Sequence, residues 1–204
     1  HQPVDWHEWG DEAFLLAKEQ DKPVLLDIRA VWCHWCHVID RESYENAEIA
    51  KLINENYVPV KVDVDARPDI DRRYQEVIQA LTGHGGWPPT GFLTPDGEVI
   101  YGGTYFPPED MHGMPGMKSI LPRIATVYKE QKADITAQAQ RLHREIAQHA
   151  AENVQPGELN TDEWEMVRKH PLLGVSILKQ VPRMETVIPV ILQHHERYDG
   201  LGYP

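Results

Sequence analysis

The sequence predicts an α/β protein, a central mixed sheet flanked by helices, with a helical appendage at its C-terminal end. Three observations carry this. Over residues 1–150, short apolar runs alternate with amphipathic stretches, the order of an α/β layer architecture. One apolar run, PVLLDI (Pro23–Ile28), leads into WCHWCH (Trp32–His37), which holds both cysteines of the chain, Cys33 and Cys36. A hairpin pattern follows: TGFLT (Thr90–Thr94), the turn PDG (Pro95–Gly97) and EVIYGG (Glu98–Gly103).

The elements follow in order. GDEAFLLAKEQDK (Gly10–Lys22) sets Phe14, Leu15 and Ala17 among charges, which predicts an amphipathic helix. PVLLDI is a short apolar run after a turn signal and reads as a buried strand. AEIAKLINEN (Ala47–Asn56) places Ile49, Leu52 and Ile53 on one helical face. YVPVKVDV (Tyr57–Val64) alternates Val58, Val60, Val62 and Val64 with Pro59, Lys61 and Asp63, a second strand. RPDIDRRYQEVIQALTG (Arg67–Gly83) has Pro68 at a helix start and Gly83 at a helix stop. From Met117 to about Ala151 the pattern predicts one long helix. A parallel strand pair followed by an antiparallel pair fits the thioredoxin architecture. VQPGELN (Val154–Asn160) then breaks the pattern at Pro156 and Gly157. The predicted organisation is a thioredoxin-like domain over 1–150, a linker over 151–158 and a helical segment over 159–204.

Bulk properties narrow the partners. With 204 residues, 41% of them hydrophobic, a packed core is affordable. A formal net charge of -12 argues against nucleic acid, which needs clustered Lys and Arg. No apolar run approaches the roughly 20 residues that span a bilayer, so no membrane partner is expected. Two cysteines do not make a disulfide scaffold.

A CxxC that follows a buried strand and opens a helix has a chemical logic. Orphan N–H groups and the helix dipole at that end favour a thiolate on Cys33. His34 can add positive charge, and the spacing lets both sulfurs meet across one turn. The expected roles are Cys33 as nucleophile and Cys36 as resolving thiol. CxxCH (Cys33–His37) also matches the c-type haem attachment string. Zinc would need four ligands, which Cys33, His34, Cys36 and His37 are too crowded to supply. Two inert buried thiols are a further alternative.

Asp27 lies on the strand, six positions before Cys33, and alternation turns it to the core side. A lone carboxyl there would have a raised pKa and could take the Cys36 proton; the alternative is a solvated strand-end Asp. In GGWPPTGFLTP (Gly85–Pro95), a cis Trp87–Pro88 bond would expose backbone beside the cysteines for an incoming peptide, with Pro89 as the rival position. Trp32, His34, Trp35, Trp87 and Pro88 are thus the candidate substrate-binding residues.

These residues resemble the thioredoxin superfamily, since LLDIRAVWCHWC keeps the Asp, the Trp and the CxxC in step. More narrowly, the chain resembles the thioredoxin-like domain of the spermatogenesis-associated thioredoxin-like family. The matching stretches include QPVDWHEWGDEAF, WCHWCHVIDRESYEN, VPVKVDVDARPDIDRRY and ALTGHGGWPPTGFLTPDGEVIYGGTYFPPED, and they cover most of residues 2–125. The resemblance implies a thioredoxin fold and a thiol–disulfide role. Pro89 and Gly91 depart from the larger apolar residues usual in that family. There the domain normally precedes a sugar-epimerase-like helical barrel, and a different segment follows here.

NTDEWEMVRKHPLLGVSILKQV (Asn160–Val181) reads as a helix with Thr161 as N-cap and acids in its first turn. VIPVILQHHERYDGLGYP (Val187–Pro204) is apolar, then closes on His194, His195 and a Gly-rich turn. KHP with HHERYDGLGYP resembles HD-GYP phosphodiesterases, which hydrolyse cyclic di-GMP with two or three metal ions. On that resemblance His170, His194 and His195 match metal ligands, for iron or manganese. Asp199, Gly202, Tyr203 and Pro204 match the signature loop. The His-Asp pair and Lys that name the family should stand upstream of His170, where the thioredoxin-like domain lies instead. The site is therefore expected to be incomplete, since three histidines without a bridging carboxylate build no two-metal centre.

The expected function is thiol–disulfide exchange on protein disulfides, needing no cofactor beyond an electron-donor reductase. The alternatives are a fragment of a metal-dependent phosphodiesterase and a non-catalytic binding module. The resemblances imply a cytoplasmic location, with the periplasm as the alternative.

Overall fold

The computed structural model describes residues 3–83, 85–111 and 113–153, together with positions 168, 169, 172, 175, 188 and 189. The chain divides into two compact units, His1–Glu152 and Asn153–Pro204. The described positions of the second unit beyond 153 are all helical.

The first unit has the predicted thioredoxin fold. Its strands are β1 (His7–Glu8), β2 (Val24–Arg29), β3 (Val58–Asp63), β4 (Thr90–Leu93) and β5 (Val99–Gly103), ordered β1-β3-β2-β4-β5. β1 and β2 both run parallel to β3, while β4 is antiparallel to β2 and to β5. The helices are α1 (Asp11–Glu19), α2 (His34–Ile39), α3 (Ala47–Asn56), α4 (Pro68–Thr82), α5 (Met117–Glu130) and α6 (Lys132–Asn153). A π-helical turn over Asp40–Tyr44 follows α2 without a break.

β2 is covered on both faces, which is why it reads as a near-continuous apolar run. Val24, Leu26 and Ile28 join a core with Ala13 and Ala17 of α1 and Tyr74 and Val77 of α4. Leu25 faces the opposite core, built with Ile39, Tyr44, Ile49 and Ile53, and with Leu121 of α5. Period-two alternation thus puts Asp27 on the α2–α3–α5 side, and it is buried there. Two of the buried phenols find backbone acceptors: Tyr57 Oη donates to Leu121 O at 2.6 Å and Tyr74 Oη to Gly97 O at 2.8 Å.

Two expectations need correction. The stretch predicted as one long helix is two, because Gln131 leaves the helical region with φ -128° and ψ 30°. No Gly or Pro marks that position, so periodicity alone runs across it. The edge strand β1 was not anticipated, since two residues are too short to show alternation.

Candidate functional site

The CxxC sits where β2 ends. Cys33 caps α2 with extended dihedrals, φ -84° and ψ 111°, and its sulfur accepts the Cys36 amide at 3.2 Å. That amide is one of the donors a helix start leaves without an internal partner. Cys33 and Cys36 are joined by a disulfide with Cα atoms 5.3 Å apart. Both cysteines are buried, Cys33 at 6% exposure and Cys36 at 1%, so Cys33 is the less covered of the two. His37 ties the turn back through its Nε2, 2.8 Å from the Val31 carbonyl oxygen.

Aromatic side chains flank the disulfide. Trp32 is 60% exposed, Trp35 53% and Trp87 38%. Trp32 meets Trp87 edge to face at 5.4 Å, and Trp35 meets Tyr105 at 5.2 Å. His34 is exposed and lies 5.8 Å from the Trp35 ring. The Trp87–Pro88 bond is cis, and Pro88 is buried. The neighbouring Pro89 carbonyl accepts from Ile28 N at 3.1 Å, which stitches this loop to β2.

α4 holds the same loop from the other side. Trp87 Nε1 donates to Asp71 Oδ1 at 3.1 Å. Gln75 closes a two-way contact with Gly86, donating to its carbonyl at 3.0 Å and accepting from its amide at 3.2 Å.

Asp27 is 1% exposed. Burial raises its pKa from 3.8 to about 6; Lys61 opposes this and Asp40 adds to it. Tyr44 Oη donates to its Oδ1 at 3.4 Å. The expected lone carboxyl is in fact one member of a buried charge group. Asp40 Oδ2 pairs with Arg29 Nη2 at 2.5 Å and Asp40 Oδ1 with Lys61 Nζ at 3.2 Å. Lys61 also stands 4.3 Å over the Trp6 ring. Burial lowers the Lys61 pKa, against the pull of Asp27 and Asp40.

The sequence reading missed Arg29, Lys61, Asp40 and Tyr44. One signal was available: Lys61 sits mid-strand in a run of valines, where a strand flanked on both sides must give a cation a buried anion. For Asp40 there was none, because its orientation depends on the π-turn. His170, His194 and His195 lie outside the described residues, as does the signature loop. Among the described residues no cluster of His, Cys, Asp or Glu could hold a metal ion, and no helix is long and apolar enough to cross a membrane.

A CxxC disulfide on the helix that follows the central strand of this sheet defines a class: thioredoxin-fold modules of thiol oxidoreductase type. The chain belongs to the family described as Thioredox_DsbH, protein of unknown function, DUF255, whose model matches residues 1–147. An HD domain model matches residues 132–204. The chain is 50% identical over 129 residues to an uncharacterized protein of Caenorhabditis elegans, covering 63% of this chain and 18% of that protein. It is 45% identical over 142 residues to spermatogenesis-associated protein 20 of Rattus norvegicus, covering 70% of this chain and 18% of the relative. The chain thus spans less than a fifth of the length of these relatives. It is also 34% identical over 88 residues to 3'3'-cGAMP-specific phosphodiesterase 2 of Vibrio cholerae, covering 40% of this chain and 17% of that enzyme.

Proposed function

We propose that residues 1–150 form a domain catalysing thiol–disulfide exchange on protein disulfides. The observation that carries this is the disulfide itself, bridging a nearly sealed Cys36 and a Cys33 at a helix start. In the reduced state the Cys33 thiolate attacks a client disulfide and forms a mixed disulfide, expelling one client thiolate. Asp27 takes the Cys36 proton. The Cys36 sulfur then attacks Cys33 Sγ, closes the Cys33–Cys36 bond and expels the second client thiolate. Two electrons pass to the client, both client sulfurs take protons from water, and Asp27 returns its proton. A dithiol reductase restores the cysteines. Trp32, His34, Trp35 and Trp87 form the surface that meets the client, and the cis bond to the buried Pro88 presents the loop backbone beside it. Insulin reduction with dithiothreitol as electron source tests this: Cys33→Ser should abolish the catalysed rate. An equal rate in the variant would overturn the reading.

The HD domain match supports a second, separate reading for residues 159–204. This segment is a piece of a phosphodiesterase domain; the linker expected over residues 151–158 begins inside α6, which runs to Asn153. His170, His194 and His195 would supply part of the ligand set of such a domain, with iron or manganese as the metal. Elemental analysis should find no stoichiometric metal in the purified chain, and cyclic di-GMP should survive incubation with it. Turnover would show that the segment is sufficient.

A further inference from the structure

The π-turn after α2 is used by nothing in the exchange scheme so far, yet it aims two polar side chains into the sheet. Its defining bond runs from Glu45 N to Asp40 O at 2.8 Å, one residue longer than an α-helical bond. Asp40 and Tyr44 bracket that turn and are 7% and 0% exposed. Tyr44 reaches Asp27, while Asp40 reaches both Arg29 of β2 and Lys61 of β3. Arg29 lies two residues beyond Asp27 on the same strand, hence on the same face. Lys61 is the register partner of Asp27 on β3, and Thr90 is its partner on β4.

The charged and titratable groups facing Asp27 are therefore Arg29 from β2, Lys61 from β3, and Asp40 and Tyr44 from the π-turn. From α2, Cys36 is held in the disulfide and carries no charge. Asp40 bears on Asp27 in two ways of the same sign. Its own charge repels a negative Asp27, and it engages the two cations that would attract one.

Resting on the exchange reading above, we propose that Asp40 is a positioning residue for that reaction. By bridging Arg29 and Lys61 it fixes the charges around Asp27 and so sets the pH at which that carboxyl takes and returns the Cys36 proton. The network also has an edge on water. Arg29 and Lys61 line a crevice of about 590 Å³ together with Trp6, Trp9 and Arg67. The step is balanced: Cys36 Sγ–H gives its proton to the Asp27 carboxylate, and the carboxylic acid later returns it to solvent.

The test is carboxyl ¹³C titration of Asp27 in the oxidised full chain, which needs no turnover. Asp40→Asn should move the Asp27 midpoint down by about one pH unit, the low end of what a nearby charge does. Lys61→Met should move it up by a similar amount, and Asp40→Glu should leave it near that of the unaltered chain. Should Lys61→Met fail to fold, Lys61→Gln serves with the same expected direction. The pH profile of single-turnover client reduction should follow these midpoints. A merely structural ion pair predicts lower stability without opposed shifts. Unmoved midpoints, midpoints moving in one direction, or a pH profile indifferent to them would each overturn the assignment. Exchange activity surviving in Cys33→Ser is a separate result and would remove the underlying reading instead.

Discussion

Asp27 and Lys61 stand opposite each other on adjacent parallel strands, a carboxyl and an ammonium paired in register in the middle of a buried sheet. Burial outweighs this favourable pairing at the carboxyl, whose pKa is raised to about 6. The folded chain therefore binds that proton more tightly than the unfolded chain, whose ordinary value is 3.8. Stability from this group is complete below the unfolded value and is lost as pH rises through the folded one.

Asp27→Asn should accordingly stabilise the oxidised protein above pH 6 and change little near pH 4. The shift from 3.8 to about 6 converts to an upper gain of about 3 kcal/mol at pH 8. Urea unfolding at the two pH values measures it. A variant no more stable than the parent at pH 8 would contradict the account of Asp27 as a strained anion.

His143 of α6 should give the opposite pH dependence. Its Nε2 accepts from Val99 N at 2.8 Å, which requires an unprotonated nitrogen. Burial lowers its pKa below 6.5, helped by Arg73 and opposed by Glu98. The stability it contributes is present above the unfolded value of 6.5 and is lost as pH falls towards the lowered folded value. His143→Ala should cost about 1–3 kcal/mol at pH 8, the penalty of a buried amide left without an acceptor. The variant should also show a flatter stability profile just below pH 6.5. Denaturation series at several pH values check both effects.

Gln75→Ala should loosen the loop that carries Trp87. It removes both partners of the Gly86 backbone, so amide exchange at Gly86 should accelerate at least tenfold, the equivalent of about 1.4 kcal/mol of local protection. Exchange at Leu25 and Leu26 should stay unchanged. Hydrogen exchange read residue by residue by NMR separates local opening from global loss of stability.

Gly116→Ala should be among the most damaging single substitutions outside the cores. A Cβ there would lie 2.2 Å from the Glu109 carbonyl carbon and 2.5 Å from its Cα, and a backbone cannot rotate away as a side chain can. The start of α5 is pinned to the same loop by Met117 N to Pro107 O at 2.7 Å and Lys118 N to Pro108 O at 3.1 Å. A loss of about 3 kcal/mol is expected, the upper end for overpacking. Thermal unfolding of Gly116→Ala beside Gly10→Ala, where an added Cβ meets nothing within 4 Å, gives the comparison.

Much of this was legible in the chain before any coordinates. Alternation and turn signals give β2, β3 and the β4–β5 pair, because those patterns record which face of each strand is covered. The burial of Asp27 was legible too, since strand alternation turns it to a covered face. The Trp87–Pro88 position was likewise open to inference from an X-Pro bond leading into a strand. The Asp40–Arg29–Lys61 group was not, because it joins residues distant in sequence and depends on one added residue in a helical turn. Asp71 and Gln75 escaped for a similar reason: on α4 they read as ordinary polar positions until the loop that they grip is in place. The break at Gln131 leaves no compositional trace.

α6 has a consequence for anyone dividing this chain. β5 ends the sheet, and the first amide of that strand is taken by the imidazole of His143 while Leu142 and Ile146 pack on the core beneath. Both family matches include residues 132–147, so a cut made at the end of the first match or at the start of the second would fall within this helix or at its first residue. A fragment ending ahead of α6 would leave the Val99 amide without its acceptor and uncover the apolar core residues on which Leu142 and Ile146 pack. Expression limits for the first unit are better drawn after Glu152, where the compact unit itself ends.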